Sequence, residues 1–150
     1  MDILEMMPAD IPAVVNMAQI LYREDDAPML AKEFEEIVRS ETDAVYVARQ
    51  GETYVGFIHM ALRYEYVEGA GEPPVAYMEG IYVDPDFRQQ QIARELSRQG
   101  EKWAKEKGCT QVASDAEIDN TVSQAFHQKI GFKEVNRLVC FLKDIGDDPL

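Results

Sequence analysis

A strand that breaks at a proline and re-emerges as a helix constrains this chain more than any other feature. Val75 to Val83 reads as an apolar strand, and Asp84-Pro85 ends it, because proline has no N–H to give a sheet ladder. After a short turn, apolar residues return at helical spacing: Ile92, Ala93, Leu96, Trp103 and Ala104. The spacing predicts a helix from about Gln90 to Lys107, with Gly108 as its stop. A strand that feeds a turn into a helix aims several free backbone N–H groups at one point, which makes an anion site. Arg88 and polar side chains stand in that turn, so this segment suits a phosphorylated cofactor.

The rest of the chain supplies the remaining layers. Ile3-Leu4 suggests a first short strand. Ile11, Val14, Val15, Ala18, Leu21 and Tyr22 follow at helical spacing, with Asp10 as N-cap and Pro12 in the first turn. Leu30, Phe34, Ile37 and Val38 mark a second helix after Pro28. Ala44–Arg49 and Tyr54–Tyr66 read as strands around the turn Gln50-Gly51-Glu52, an antiparallel hairpin. Residues 67–74 form a loop. Thr110–Ser114 is a further strand, Thr121-Val-Ser-Gln124 fits a capping box for a helix to Ile130, and Phe132–Lys143 reads as a final strand. The hairpin implies antiparallel pairing and the late strand–helix–strand unit implies parallel pairing. The expectation is therefore a mixed-sheet α/β fold in one domain over 1–150, with a frayed acidic tail at 144–150.

The charge narrows the class. There are 28 acids against 15 bases, a net −13 and a pI near 4.5. That argues against nucleic acid, whose affinity comes from neutralising phosphates. It suits a cationic substrate drawn to an acidic cleft. An apolar fraction of 46% and a mean hydropathy of −0.32 describe a soluble protein. No stretch approaches the ~20 apolar residues of a membrane span, and the N-terminus has no signal-peptide pattern, so a cytoplasmic location is expected and no membrane partner. Cys109 and Cys140 lack metal-ligand spacing and are read as buried free thiols, with no metal.

The element order resembles the GNAT superfamily of acyl-CoA-dependent N-acetyltransferases. Its pyrophosphate motif, Gln/Arg-x-x-Gly-x-Gly/Ala, corresponds here to Arg88, Gln89, Gln90, Gln91, Ile92 and Ala93. Gln91 stands where the family has its central glycine. Leu62-Arg-Tyr-Glu-Tyr-Val-Glu-Gly69, Pro74-Val75, Met78-Glu-Gly-Ile81, Trp103-Ala104, Ala113-Ser-Asp-Ala116, Asn120 and His127-Gln-x-x-Gly-Phe132 are similar to the aminoglycoside 6′-N-acetyltransferases, over about Tyr54 to Gly146. The resemblance implies a sheet whose central parallel pair is splayed, acetyl-CoA as co-substrate, an aminoglycoside or other polycationic amine as partner, and a homodimer. It also implies acetyl transfer by direct attack in a ternary complex. Transfer to a polyamine or peptide, and a non-catalytic acyl-CoA-binding module, stay open as alternatives.

Glu79 and Gly80 lie inside the central strand. A glycine there marks a bulge or a close approach. Glu79 is an acid in an apolar strand, either a base for the attacking amine or a strand-face acid turned to solvent. By the resemblance, backbone groups of Ile81, Tyr82 and Val83 hold the pantetheine arm, and Asp115 meets the amine as base or orienter. Asn120 touches the cofactor or caps the next helix. His127 donates a proton to the departing thiolate, binds the cofactor, or lies on the helix surface. Tyr66, Glu68 and Glu72 form an acceptor wall or an ordinary exposed loop. Tyr22 faces the acceptor or sits in the core. Glu117 and Asp119 are read as solvated loop, His59 as structural, and Asn136 as a position where relatives carry an acid.

Overall fold

Residues 1–146 are described by a computed structural model. Alternating apolar residues build a hairpin from β2 (Asp43–Gln50) and β3 (Thr53–Arg63). It turns at Gly51, whose φ of +63° is the left-handed conformation that glycine adopts without a Cβ penalty. β1 (Asp2–Glu5) joins β2 antiparallel, and β4 (Val75–Val83) joins β3 antiparallel. β5 (Val112–Ala113) adds to β4 in parallel, completing a five-stranded mixed sheet in the order β1-β2-β3-β4-β5.

Each face of the sheet carries its own core. On one face α1 (Ile11–Tyr22) and α2 (Ala27–Val38) pack Val14, Val15, Ala18, Leu30 and Phe34 against Val45, Val47, Phe57 and Tyr82. On the other, α3 (Ile92–Glu106) packs Ile92, Leu96, Trp103 and Ala104 against Ala48, Val55, Ile58 and Met60. β2 serves both cores because successive side chains point to opposite faces. α4 (Thr121–Lys129) follows β5. Among the described residues no helix is long and apolar enough to cross a membrane.

Several expectations are corrected. β3 stops at Arg63, opposite the first residue of β4, and β5 shrinks to two residues because β4 runs on without it past the Tyr77–Ala113 pair. Asp10 stands at the N-cap position of α1 but caps no helical N–H. Its buried carboxylate instead accepts from Met7 N and the Tyr54 hydroxyl, which ties the entry to α1 to β3. The N-cap of α4 is Asn120, whose Oδ1 accepts from Ser123 N at 3.0 Å, rather than Thr121. Phe132–Lys143 is not a strand: the segment has no sheet partner, and strand-forming residues without a ladder have nothing to form one with. Cys109 is buried as expected, whereas Cys140 lies on that segment and is exposed. Of the tail expected at 144–150, residues 147–150 lie outside the described residues.

Candidate active site

The β3–β4 register skips one residue. His59 faces Gly80 and Met60 faces Met78, so Glu79 is the extra residue of a β-bulge. A bulge re-aims a side chain out of the strand's alternation. Glu79 thereby reaches a cavity of about 630 Å³ between the sheet and the α1–α2 pair. Its lining includes five carboxylates (Glu24, Glu33, Glu36, Asp43 and Glu79), together with Tyr22 and His59, and no Lys or Arg. The acids of α2 and Asp43 were not singled out in the sequence. Their periodicity reads only as the solvated face of a helix, and the sheet it covers is a tertiary property. His59 Nε2 lies 2.8 Å from Asp43 Oδ2 on the cavity wall.

Tyr22 enters the same place from the end of α1. As a residue it is 43% exposed, but its hydroxyl end rests on Gly80. A Cβ at position 80 would lie 1.9 Å from that hydroxyl oxygen. The glycine is therefore required by close approach of Tyr22. Burial, followed by the charges of Glu79, Glu33 and Asp115, pushes the Tyr22 phenol up to about 12. It stays protonated at neutral pH and is available as a donor.

Glu79 is held by Arg63. The guanidinium Nη2 meets both carboxylate oxygens and Nε reaches Oε1 at 3.2 Å. Arg63 also stacks on the Tyr77 ring, 3.5 Å from its centroid. The Tyr77 hydroxyl in turn donates to Asp115 Oδ2, and burial plus that carboxylate drive its pKa far up. Asp115, Tyr77, Arg63 and Glu79 thus form one connected row across the end of β4. Arg63 and Tyr77 were missed as site residues. Arg63 is in register with Val75, and only its long side chain, lying over Tyr77, reaches Glu79, a contact that spacing along the chain does not reveal.

Past Tyr77 the parallel pair separates. β4 and β5 are matched only at Ala76–Val112 and Tyr77–Ala113, so Ile81, Tyr82 and Val83 have no strand on that side. At the mouth of the gap Ser114 Oγ donates to Met78 O at 3.2 Å. Ser114 Oγ also lies 2.8 Å from His127 Nε2, while His127 Nδ1 donates to Ser123 O at 2.7 Å. His127 therefore faces the gap through Ser114 and does not lie free on the helix surface. Asn120 has its Oδ1 engaged as a cap.

The turn after β4 keeps its special backbone despite the missing glycine. Gln89 and Gln91 both have positive φ, 67° and 63°. Gln91 is the N-cap of α3 and makes no side-chain cap bond, so the first N–H groups of a 15-residue helix face outward uncapped. Arg88 Nε donates to Val83 O at 3.2 Å, and Gln90 Oε1 accepts from Gln50 Nε2 at 3.1 Å. Ile92 is buried and Ala93 half-buried behind them. The left-handed conformation at Gln91 costs about 1 kcal/mol that glycine would not. Gln91→Gly is expected to raise the melting temperature by about 2–4 °C. The strained turn already exists in the free protein, so affinity for a phosphorylated cofactor should improve by less than about tenfold, through lost side-chain bulk alone. Calorimetric melting and titration of the variant check both; an unchanged melting temperature would contradict the strain.

The loop residues go elsewhere. Tyr66 is 82% exposed and donates to Glu68 Oε2 at 2.8 Å, and Glu72 is exposed. None of the three lines the acidic cavity. Glu117 and Asp119 are exposed before α4, and Asn136 accepts from the Arg137 N–H on the exposed final segment.

The model of the acetyltransferase (GNAT) family matches residues 11–132. The chain belongs to this family. Among its GNAT relatives, an aminoglycoside N(6′)-acetyltransferase type 1 of Acinetobacter genomosp. 13 is 50% identical over 92 residues, 61% of this chain and 63% of that protein. The match thus spans less than two thirds of that relative's length. The crystal structure of the aminoglycoside antibiotic 6′-N-acetyltransferase AAC(6′)-IG from Acinetobacter haemolyticus superposes with a TM-score of 0.92 at 32% identity, covering 97% of this chain and 100% of that one. AAC(6′)-Iy in complex with the bisubstrate analogue CoA-S-monomethyl-acetylneamine gives 0.91 at 31% identity, covering 96% and 98%. The GNAT assignment accounts for the mixed sheet, the bulge in β4 and the turn into α3 as parts of one acyl-transfer scaffold.

Proposed function

We propose that this GNAT protein is an aminoglycoside 6′-N-acetyltransferase that confers antibiotic resistance, working as a single 1–150 domain in the cytoplasm and as a homodimer. One observation carries the reading: a cavity lined by five carboxylates and no Lys or Arg opens at the bulge that presents Glu79. A polycationic amino sugar complements that lining, and carboxylates pair with its ammonium groups through charge-assisted hydrogen bonds. The relatives named above carry the same activity in their names.

The turn at Arg88–Ala93 fits the diphosphate of acetyl-CoA, since uncapped helix N–H groups and an arginine are the donors an anion needs. Ile81, Tyr82 and Val83 border the gap where the pantetheine arm would run. Acetyl-CoA supplies the acetyl thioester. The 6′-amine, with a pKa of ~10 if it resembles lysine, arrives mostly protonated. Glu79 takes that proton, with the incoming ammonium displacing Arg63 from the carboxylate. Asp115 orients the amine, and Tyr22 donates across the acceptor cavity. His127, through the Ser114 hydroxyl, is placed to return a proton to the departing thiolate. Neither cysteine takes part.

Thiol release from acetyl-CoA tests this. Turnover is expected with an aminoglycoside bearing a 6′-amine and not with its 6′-hydroxyl analogue. Turnover with spermidine alone would remove the antibiotic from the proposal while keeping amine acetylation. Silence with all three acceptors, alongside measurable acetyl-CoA binding, would reject catalysis.

A further inference from the structure

This acidic chain gathers bases at one place. A second cavity, of about 280 Å³, lies between α3 and the end of α4. Arg94, Arg98 and Lys129 line it, together with Ser97 and the carboxylate of Glu101. Three of the chain's 15 bases therefore share one small space in a protein of net −13. The acceptor cavity has the opposite lining, with five carboxylates and no Lys or Arg.

Helix architecture alone does not account for this arrangement. Arg94 and Arg98 stand four residues apart on α3, so they share a face on which like charges repel. Lys129 in the last turn of α4 suits that helix's dipole, but the fold also places it on the cavity of the two arginines. Carboxylates could relieve the repulsion. Among the described residues, however, none forms an ion pair with Arg94, Arg98 or Lys129. Arg94 is half-buried and Ser97 is buried, so part of the site is withdrawn from water. A charge in such a place gains from a partner of opposite sign.

The chemistry of that partner follows from the donors. Guanidinium forks match the oxygens of phosphate, and a phosphomonoester is close to a dianion at neutral pH. The cavity falls just below the ~300–1,000 Å³ of pockets that enclose a whole ligand, so it fits one group of a larger molecule or a small free ion. Arg94 is three residues past Gln91, about 4.5 Å along the helix axis from the uncapped N–H groups. A ligand with a diphosphate at that turn and a further phosphate one sugar away can reach both.

We propose that Arg94, Arg98 and Lys129 form a phosphomonoester site in the α3–α4 cleft, filled by the ribose 3′-phosphate of acetyl-CoA or by a free phosphate. The inference deepens the reading of acetyl-CoA binding at the Arg88–Ala93 turn and adds a second anchor outside that turn. The site would make the protein select a cofactor that carries the 3′-phosphate.

Calorimetric titration of the full chain with acetyl-CoA and with its 3′-dephospho analogue tests this. The parent is expected to bind acetyl-CoA at least about tenfold more tightly, since a hydrogen bond to a charged group contributes that much. Arg98→Gln with Lys129→Gln removes two exposed charges, so the fold should hold. This variant should bring the ratio below about threefold while affinity for the dephospho analogue stays unchanged. Inorganic phosphate alone, followed by amide resonances of residues 94–98 and 129–131, identifies the other source. Equal affinity for the two thioesters, with phosphate shifting those amides in the parent and not in the variant, would assign the site to free phosphate. Equal affinity without such shifts would overturn the proposal. So would a tenfold preference that survives the double substitution, because the 3′-phosphate would then be held elsewhere. Failure of both thioesters to bind would remove the acetyl-CoA reading instead, and the phosphate shifts would then decide the cleft by themselves.

Discussion

Glu79→Gln is expected to lower kcat by about 10²- to 10⁴-fold, the range that a positioned general base contributes. The substitution keeps the side chain's size and its place in the bulge while removing its capacity to take a proton. Its cost to folding should be small. Glu79 pairs with Arg63, whose side chain is 44% exposed, and partly exposed ion pairs contribute at most about 1 kcal/mol. Acetyl-CoA affinity should hold, because the residues proposed to bind it lie beyond Glu79 on β4 and in the turn before α3. Steady-state kinetics with an unchanged acetyl-CoA Kd would complete the pattern. A variant within threefold of the parent in kcat would remove Glu79 from the proton transfer and leave it as the partner of Arg63.

Gly80→Ala should damage both stability and activity, through one contact. The new methyl would meet the Tyr22 hydroxyl at 1.9 Å and Leu21 Cδ2 at 3.2 Å. Overpacking of this kind costs about 1–3 kcal/mol, and relief requires the end of α1 to move. Tyr22 then leaves the cavity, and displacement near reacting groups costs of order 10²-fold in kcat/KM. Coupling is the decisive readout. In a Tyr22→Ala background the added methyl has room, so most of the stability loss should disappear while activity stays low. Additive losses in the double variant would show that Gly80 is needed for something other than the approach of Tyr22.

How much of the site could be read beforehand follows the range of each signal. Strand, proline turn and helix over 75–107 were legible because each is written in local spacing. The left-handed turn was legible in position but not in conformation: Gln91 hides a φ that a glycine would have announced. Glu79 stood out as an acid in an apolar strand. Arg63, its partner, did not, because a strand-end arginine is ordinary until β3 and β4 are paired and its side chain can lie over Tyr77 and reach Glu79. Glu24, Glu33 and Glu36 form an acidic wall only once α1 and α2 are laid over the sheet. Tyr66, Glu68 and Glu72 looked as suited to a cationic sugar as these, yet their loop stays outside the cavity.

The final segment shows the same division at larger scale. Its apolar residues called for a strand, and the fold leaves that strand without a neighbour. By itself the sequence determined the elements up to α4 apart from their bounds, the anion-accepting turn, the acidic balance and the acid in the central strand. Those properties depend on residues a few positions apart, through proline's missing N–H, helical period and side-chain charge. Tertiary structure decided which acids share a cavity, which arginine holds Glu79, that Tyr22 rests on Gly80, and where β4 and β5 part. These depend on contacts between residues far apart in the chain, and a one-residue change of register is enough to rewrite them.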